Sequence, residues 1–189
     1  MEQTLVELVL PLPVAVAKTK GISLPSNPVP FGSDARRFLA EMVTSEMIEY
    51  IGAEDEAERI DALCDALVYI ADSAIRHGIV FLDVALEPEK LHPIPEDKVS
   101  IATLIFRGMA GFVELETLAE QMRHLTLMCN RLAYYAEDNL RPYLEEVSRA
   151  NKSKIADCGR VILNEQGKVM KPDGFVPPNI KGVWNERHK

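Results

Sequence analysis

The stretch "SEMIEYIGAEDEAERIDALCDALVYIADSA", Ser45 to Ala74, carries apolar residues at helical spacing on both sides of a break and loads both sides with carboxylates. Upstream, Phe38, Leu39, Met42, Val43 and Met47 recur at helical spacing and predict a helix over 34–50 with a buried stripe. Downstream, Ile60, Leu63, Leu67, Ile70 and Ala74 predict a second helix over 55–77. Gly52 interrupts the first. Asp55, followed three residues later by Glu58, is a capping-box start for the second. So short a connection favours an antiparallel hairpin packed through its apolar stripes, and the predicted fold class is an all-α helical bundle.

Outward from the hairpin, Ser33 reads as the cap of the first helix, with Asp34 in its first turn. At its far end the second helix meets His77-Gly78, where glycine suits a stop; His77 is read as closing the helix rather than contacting a ligand. "LEPEKLHPIPED" (86–97) separates the hairpin from a helical region over 99–139. That region is either two helices meeting near Gly111 or one bent helix. Pro142 can start a short helix carrying Tyr143 to Lys154. Val161 to Leu163, Asn164-Glu165-Gln166-Gly167 and Val169-Met170 then suggest a small hairpin, with Pro172 to Pro178 as its irregular exit. The chain reads as one domain over 1–189, with a core over about 34–154 and a C-terminal hairpin and tail over 155–189.

The formal net charge of -8 argues against a nucleic-acid duplex as partner, because duplex phosphates need a basic surface. Small phosphates held through a cation remain compatible with it. Cys64, Cys129 and Cys158 lie far apart without a paired CxxC unit, which points to a reducing, cytoplasmic compartment rather than a disulfide framework. "LVELVLPLPVAVA" (5–17) is apolar but holds Glu7 and two prolines, and it is shorter than the roughly 20 residues that a spanning helix needs. The expectation is an extended segment packed on the protein, with no membrane partner.

The carboxylates follow the helical period. Glu46 and Glu49 are neighbours on the first helix, with Glu41 and Ser45 on an adjacent line; Glu58, Asp61, Asp65 and Asp72 run along the second. If the hairpin brings the two patches together, a cation is the natural compensation for their repulsion. Carboxylate oxygens suit magnesium, which retains waters and contacts substrate phosphates. On a solvated pair of helices the same spacing needs no ligand, and Glu58 then simply completes the cap.

Three segments together resemble the all-alpha nucleoside triphosphate pyrophosphohydrolases of the MazG and phosphoribosyl-ATP pyrophosphohydrolase superfamily, most of all its short phage and bacterial members. They are Glu46-x-x-Glu49-Tyr50, "DALCDALVYI" (61–70), and "EVSRANKSK" with "GKVMKPDGFVPPNI". The resemblance covers about 34–83 and 143–180, and the region 84–142 is longer than in the short members. It implies a helical bundle, usually oligomeric, that binds magnesium, or manganese in its place, and releases pyrophosphate from a nucleoside triphosphate.

Residue by residue, the resemblance assigns Glu46, Glu49 and Asp65 to the metal, with Asp61 completing the acidic set. A carboxylate of the first helix positions the attacking water. Asn151 and Lys154 match an asparagine and a lysine expected at nucleotide or phosphate. Two acidic positions of the pattern hold Ser45 and Ala62 instead. That departure sets the alternative: a retired site kept for nucleotide binding or assembly.

Overall fold

The computed structural model describes residues 4–80, 82, 84–86, 97–165 and 169–189. Among them are eight helices: α1 Leu5–Val9, α2 Pro11–Lys20, α3 Ser33–Gly52, α4 Glu56–Arg76, α5 Lys98–Val113, α6 Leu118–Tyr135, α7 Arg141–Lys152 and α8 Ile180–Arg187. The bundle is all-α, and among the described residues the β geometry is a single antiparallel bridge, Leu163 to Val169. The expected C-terminal hairpin thus reduces to that bridge. Its Gln166-Gly167 turn, and residues 87–96 of the separator, lie outside the described residues.

α4 is the central element. Asp55 Oδ1 accepts from the Glu58 N–H at 3.0 Å, while Glu58 Oε2 accepts from the Glu54 N–H at 2.7 Å, one residue before the expected reciprocal bond. Ile60, Leu63, Leu67 and Ile70 are fully buried, each contributing about 1.5–3 kcal/mol. Ala62, Ala66, Ala71 and Ala74 add little bulk, so α4 packs against α1, α2, α3, α6, α7 and α8. At its end the His77 ring lies 2.8 Å from the Ser73 carbonyl and stacks on Phe31 at 3.7 Å, which is a helix-end role. Gly78 follows with φ 73°, where a Cβ would stand 2.6 Å from the Asn27 carbonyl oxygen.

α3 starts from Gly32 as N-cap without a side-chain bond, so Ser33 is already inside the helix and does not cap it. Leu39, Val43 and Met47 are buried against α4 and α5, but Phe38 is 56% exposed and stands outside the expected stripe. α5 and α6 are two helices, and their break falls after Gly111. Thr117 caps α6 by accepting from the Glu120 N–H at 3.3 Å. Fully buried Gln121 ties this region to the start of α3: it accepts from the Phe31 N–H at 2.8 Å and donates to the carbonyls of Phe31 and Leu115.

The N-terminal segment corrects the extended expectation. Thr4 and Glu7 form a capping box for α1, and Pro11 and Pro13 fall in the first turn of α2, where backbone N–H groups have no helical partner to lose. Leu5, Val6, Leu8 and Val9 enter the core beside α4 and α7, and the buried Ser148 hydroxyl donates to the Leu8 carbonyl at 2.7 Å. The core therefore extends beyond 34–154 at this end, and at the other through buried Ile180.

α2 also forms the platform for the tail. Ala15 and Val16 pack with Val161 in a small cluster, the Val161 N–H donates to Thr19 Oγ1 at 2.9 Å, and Lys18 Nζ donates to the Cys158 carbonyl at 2.7 Å. Farther on, Arg149 holds the Pro177 carbonyl, Glu146 accepts from the Asn179 N–H, and Lys181 pairs with Asp55 at 2.8 Å. These bonds place α8, which the sequence reading leaves as irregular tail, against α4 and α7. Among the described residues no helix is long and apolar enough to cross a membrane.

Candidate functional site

Because α3 and α4 are joined by only Ala53 to Asp55, they run antiparallel, and residues spaced for one helix face meet across the pair. Glu46 and Glu49 of α3 and Asp61 and Asp65 of α4 line one open cavity of about 310 Å3 with Gly52, Ala53, Glu58 and Ala62. All four sequence-assigned carboxylates are thus brought together.

Their electrostatics reflect crowding. Glu46 is 7% exposed; burial, and then the charges of Asp65, Glu49 and Asp61, push its carboxyl up to about 7. Burial and neighbouring Asp61 push Asp65 up to about 6, with Lys154 opposing the rise. Asp61 is raised by burial and by Glu49, and its Oδ1 is fully buried without a hydrogen-bond partner. Burial and mutual repulsion therefore both disfavour full ionisation of this set.

The other acids on the two helices are differently engaged. Asp72 is paired with Arg76 at 2.6 Å, and the Glu58 carboxylate reaches the cavity wall while accepting from Glu54. Glu41 is exposed, and its carbonyl accepts from the Ser45 hydroxyl at 3.1 Å. Neither Glu41 nor Ser45 lines the cavity, whereas Ala62 does.

Asn151 and Lys154 come together at the end of α7, with Lys154 Nζ donating to Asn151 Oδ1 at 2.7 Å. Burial lowers the basicity of Lys154, and the charge of Asp65 counters it. Three residues escape the sequence assignment. Tyr69, one turn beyond Asp65, has its phenol pushed up by burial and then by the charges of Glu46, Asp65 and Glu49. Lys171 and Phe175 lie beside Lys154, with ring-to-ammonium distances of 5.2 Å from Lys171 and 5.3 Å from Lys154. Spacing alone reveals Tyr69; the other two are brought in by the tail.

Cys64 and Cys129 are fully buried, and burial drives both thiols well up, which leaves them unsuited as nucleophiles. A second cavity of about 230 Å3 opens on the opposite face of α4, lined by Tyr50, Arg59, Lys98, Tyr135 and Trp184 among others. Its cations are engaged: Arg59 pairs with Glu56, and Lys98 Nζ donates to the Ala53 carbonyl.

Among the described residues no group of three or more Asp, Glu, His or Cys side chains is already arranged to hold a metal ion. The donor chemistry of the cavity nevertheless fits magnesium. Its oxygens are hard ligands, Asp61 Oδ1 is orphaned, among the described residues no cation pairs with Glu46, and magnesium commonly binds few carboxylates directly while keeping its waters. Compared with known proteins, the chain matches no family model, no curated protein and no solved structure.

Proposed function

We propose that this chain is a magnesium-dependent nucleoside triphosphate pyrophosphohydrolase, converting an NTP or dNTP and water to the monophosphate and pyrophosphate. The observation that carries the reading is the convergence of Glu46, Glu49, Asp61 and Asp65 on one cavity. The resemblance of the same residues to the all-alpha pyrophosphohydrolases supplies the reaction class.

Glu46, Glu49 and Asp65 would hold the cation directly or through water, with Asp61 completing the set. Bound magnesium supplies charge neutralisation for the phosphates and the departing pyrophosphate. A carboxylate of α3 orients a water whose oxygen bonds to the α-phosphorus as the bond from that phosphorus to the bridging oxygen breaks. The water's proton passes to that carboxylate. Lys154 neutralises phosphate charge. Asn151, with its oxygen occupied by Lys154, offers its amide N–H groups to phosphate or sugar.

Ala62 favours a second reading. A methyl group lines the cavity where the resembled pattern has a carboxylate, as expected of a nucleotide-binding or assembly protein that no longer turns substrate over. Phosphorus NMR of the chain with a panel of NTPs and dNTPs, in magnesium and in chelator, separates the two. Monophosphate and pyrophosphate formed only with magnesium support the enzyme, and nucleotide binding without product supports the binder. A homo-oligomer is part of the proposal and is read by light scattering.

A further inference from the structure

The second cavity, of about 230 Å3, is walled by five helices: Tyr50 comes from the end of α3, Arg59 from the start of α4, Lys98 from the start of α5, Tyr135 from the end of α6 and Trp184 from α8. Buried Ile180 and the pairing of Arg187 with Asp138 at 2.7 Å seat α8 and so fix Trp184 in the wall. Past α6 the chain turns through Glu137 at φ 56°, a left-handed conformation uncommon for a residue with a side chain. It thereby brings Ala136, Glu137 and Asp138 in succession to the same space. None of these wall residues belongs to the acidic cavity.

The polar groups of this wall are unequally satisfied. Its acceptors are taken: Glu56 pairs with Arg59, and Asp138 accepts from Arg187, from the Tyr143 hydroxyl at 2.7 Å and from the Asn139 N–H at 2.7 Å. Glu137 is exposed and has interactions of its own. The donors are left with capacity. Tyr50 is only 4% exposed, yet among the described residues its hydroxyl has no hydrogen-bond partner. Arg59 Nε is fully buried without one. Lys98 Nζ has the neutral Ala53 carbonyl at 2.6 Å and, among the described residues, no carboxylate within ion-pair distance, so its charge is uncompensated and N–H groups remain to be used. A donor held out of water without an acceptor costs free energy, which an occupant bearing acceptors returns.

We propose that this cavity is a binding site for a small planar carboxylate, an aromatic or heterocyclic acid of one ring, whose carboxylate accepts from Lys98 and Tyr50 while its ring packs among Tyr135 and Trp184. The volume sets the size: it falls below the roughly 300–1,000 Å3 of pockets that take drug-sized ligands. The charge sets the class. One uncompensated ammonium balances one negative charge, whereas the second charge of a phosphate ester would stand unbalanced among Glu56, Glu137 and Asp138. The aromatic wall favours a flat apolar body behind the carboxylate. The proposal is independent of the pyrophosphohydrolase reading, since no group of the acidic cavity takes part.

Trp184 is the single tryptophan of the chain, so its fluorescence reports on this cavity. The test titrates the full chain with benzoate and nicotinate, with their neutral amides benzamide and nicotinamide, and with benzylamine, following Trp184 emission and the heat of binding. The titrations are repeated for K98M, Y50F and, as a control on an exposed lysine of α2, K20A, with the melting temperature of each variant read alongside. The expected result is that at least one acid binds and shifts Trp184 emission, that its amide binds about tenfold more weakly or worse, and that benzylamine does not bind. K98M weakens the acid about tenfold or more, Y50F roughly fivefold, and K20A leaves it unchanged. Y50F keeps the ring and removes only the hydroxyl, so it decides alone if K98M does not fold. Trp184 emission unmoved by both acids, an amide or benzylamine that binds as tightly as the acid, or wild-type affinity in either folded variant overturns the site.

Discussion

Asp65 is the charged group that most disfavours ionisation of Glu46, from across the α3–α4 pair. Both carboxyls are raised, Glu46 to about 7 and Asp65 to about 6, so these two groups bind more protons in the folded state than in the unfolded state between pH 5 and 7. Stability contributed by these groups is therefore present at the acidic end and lost as pH rises through their folded values. In chelator, the carboxyls should make melting temperature fall from pH 5 to pH 8, a range above the titration of the depressed carboxyls Asp55, Asp138 and Glu146, while His124, its basicity lowered by burial, acts in the opposite sense. E46Q should flatten that fall and raise stability at pH 8 by on the order of 1–2 kcal/mol. A pH dependence of the melting temperature that is the same in E46Q and wild type would contradict the crowding.

Glu49 is exposed, so its removal tests chemistry with little effect on packing. E49A should lower magnesium-dependent release of pyrophosphate by roughly 10²–10⁴-fold while far-UV circular dichroism and oligomeric state stay unchanged. D65N should behave alike. Turnover that persists in both variants would remove the four-carboxylate set from the mechanism.

The two acidic helices are legible because each is long and carries a sustained stripe: Leu39 to Met47 on one, Ile60 to Ala74 on the other. The same period that buries those residues sets Glu46 and Glu49 against Asp61 and Asp65 once the short connection makes the helices antiparallel. The N-terminal helices are hidden by Pro11 and Pro13, which read as breakers unless both fall in a first turn. α8 is hidden by its eight-residue length and by having Ile180 alone buried. Lys171 and Phe175 escape for a tertiary reason: their partner Lys154 lies on the far side of a segment whose course is set by Val161 on α2, a contact that no local pattern encodes.

Gln121 gives a stability test outside the site. Its carboxamide serves the N–H and carbonyl of Phe31 and the carbonyl of Leu115 in the buried junction between α6 and the start of α3. Q121L leaves these backbone groups without partners, at a cost of about 2–4 kcal/mol. Thermal unfolding should drop by roughly 5–15 °C. A variant that melts within 2 °C or so of wild type would mean that relaxation or water replaces these bonds.

Ala62 decides between the two functional readings. Its methyl lines a cavity of about 310 Å3, with room for a longer side chain, and a glutamate there adds a fifth carboxylate to a set already resisting ionisation. In chelator, A62E should melt below wild type, with a steeper loss of stability from pH 5 to pH 8, while neutral A62Q should show no steepening. If the cavity takes magnesium, the added ligand tightens binding, and the cation should raise the melting temperature of A62E by more than it raises that of wild type; saturation at 100 times Kd stabilises by about 2.7 kcal/mol. Equal destabilisation of A62E with and without magnesium would show that the carboxylates crowd without binding the cation, and would favour the nucleotide-binding protein over the enzyme.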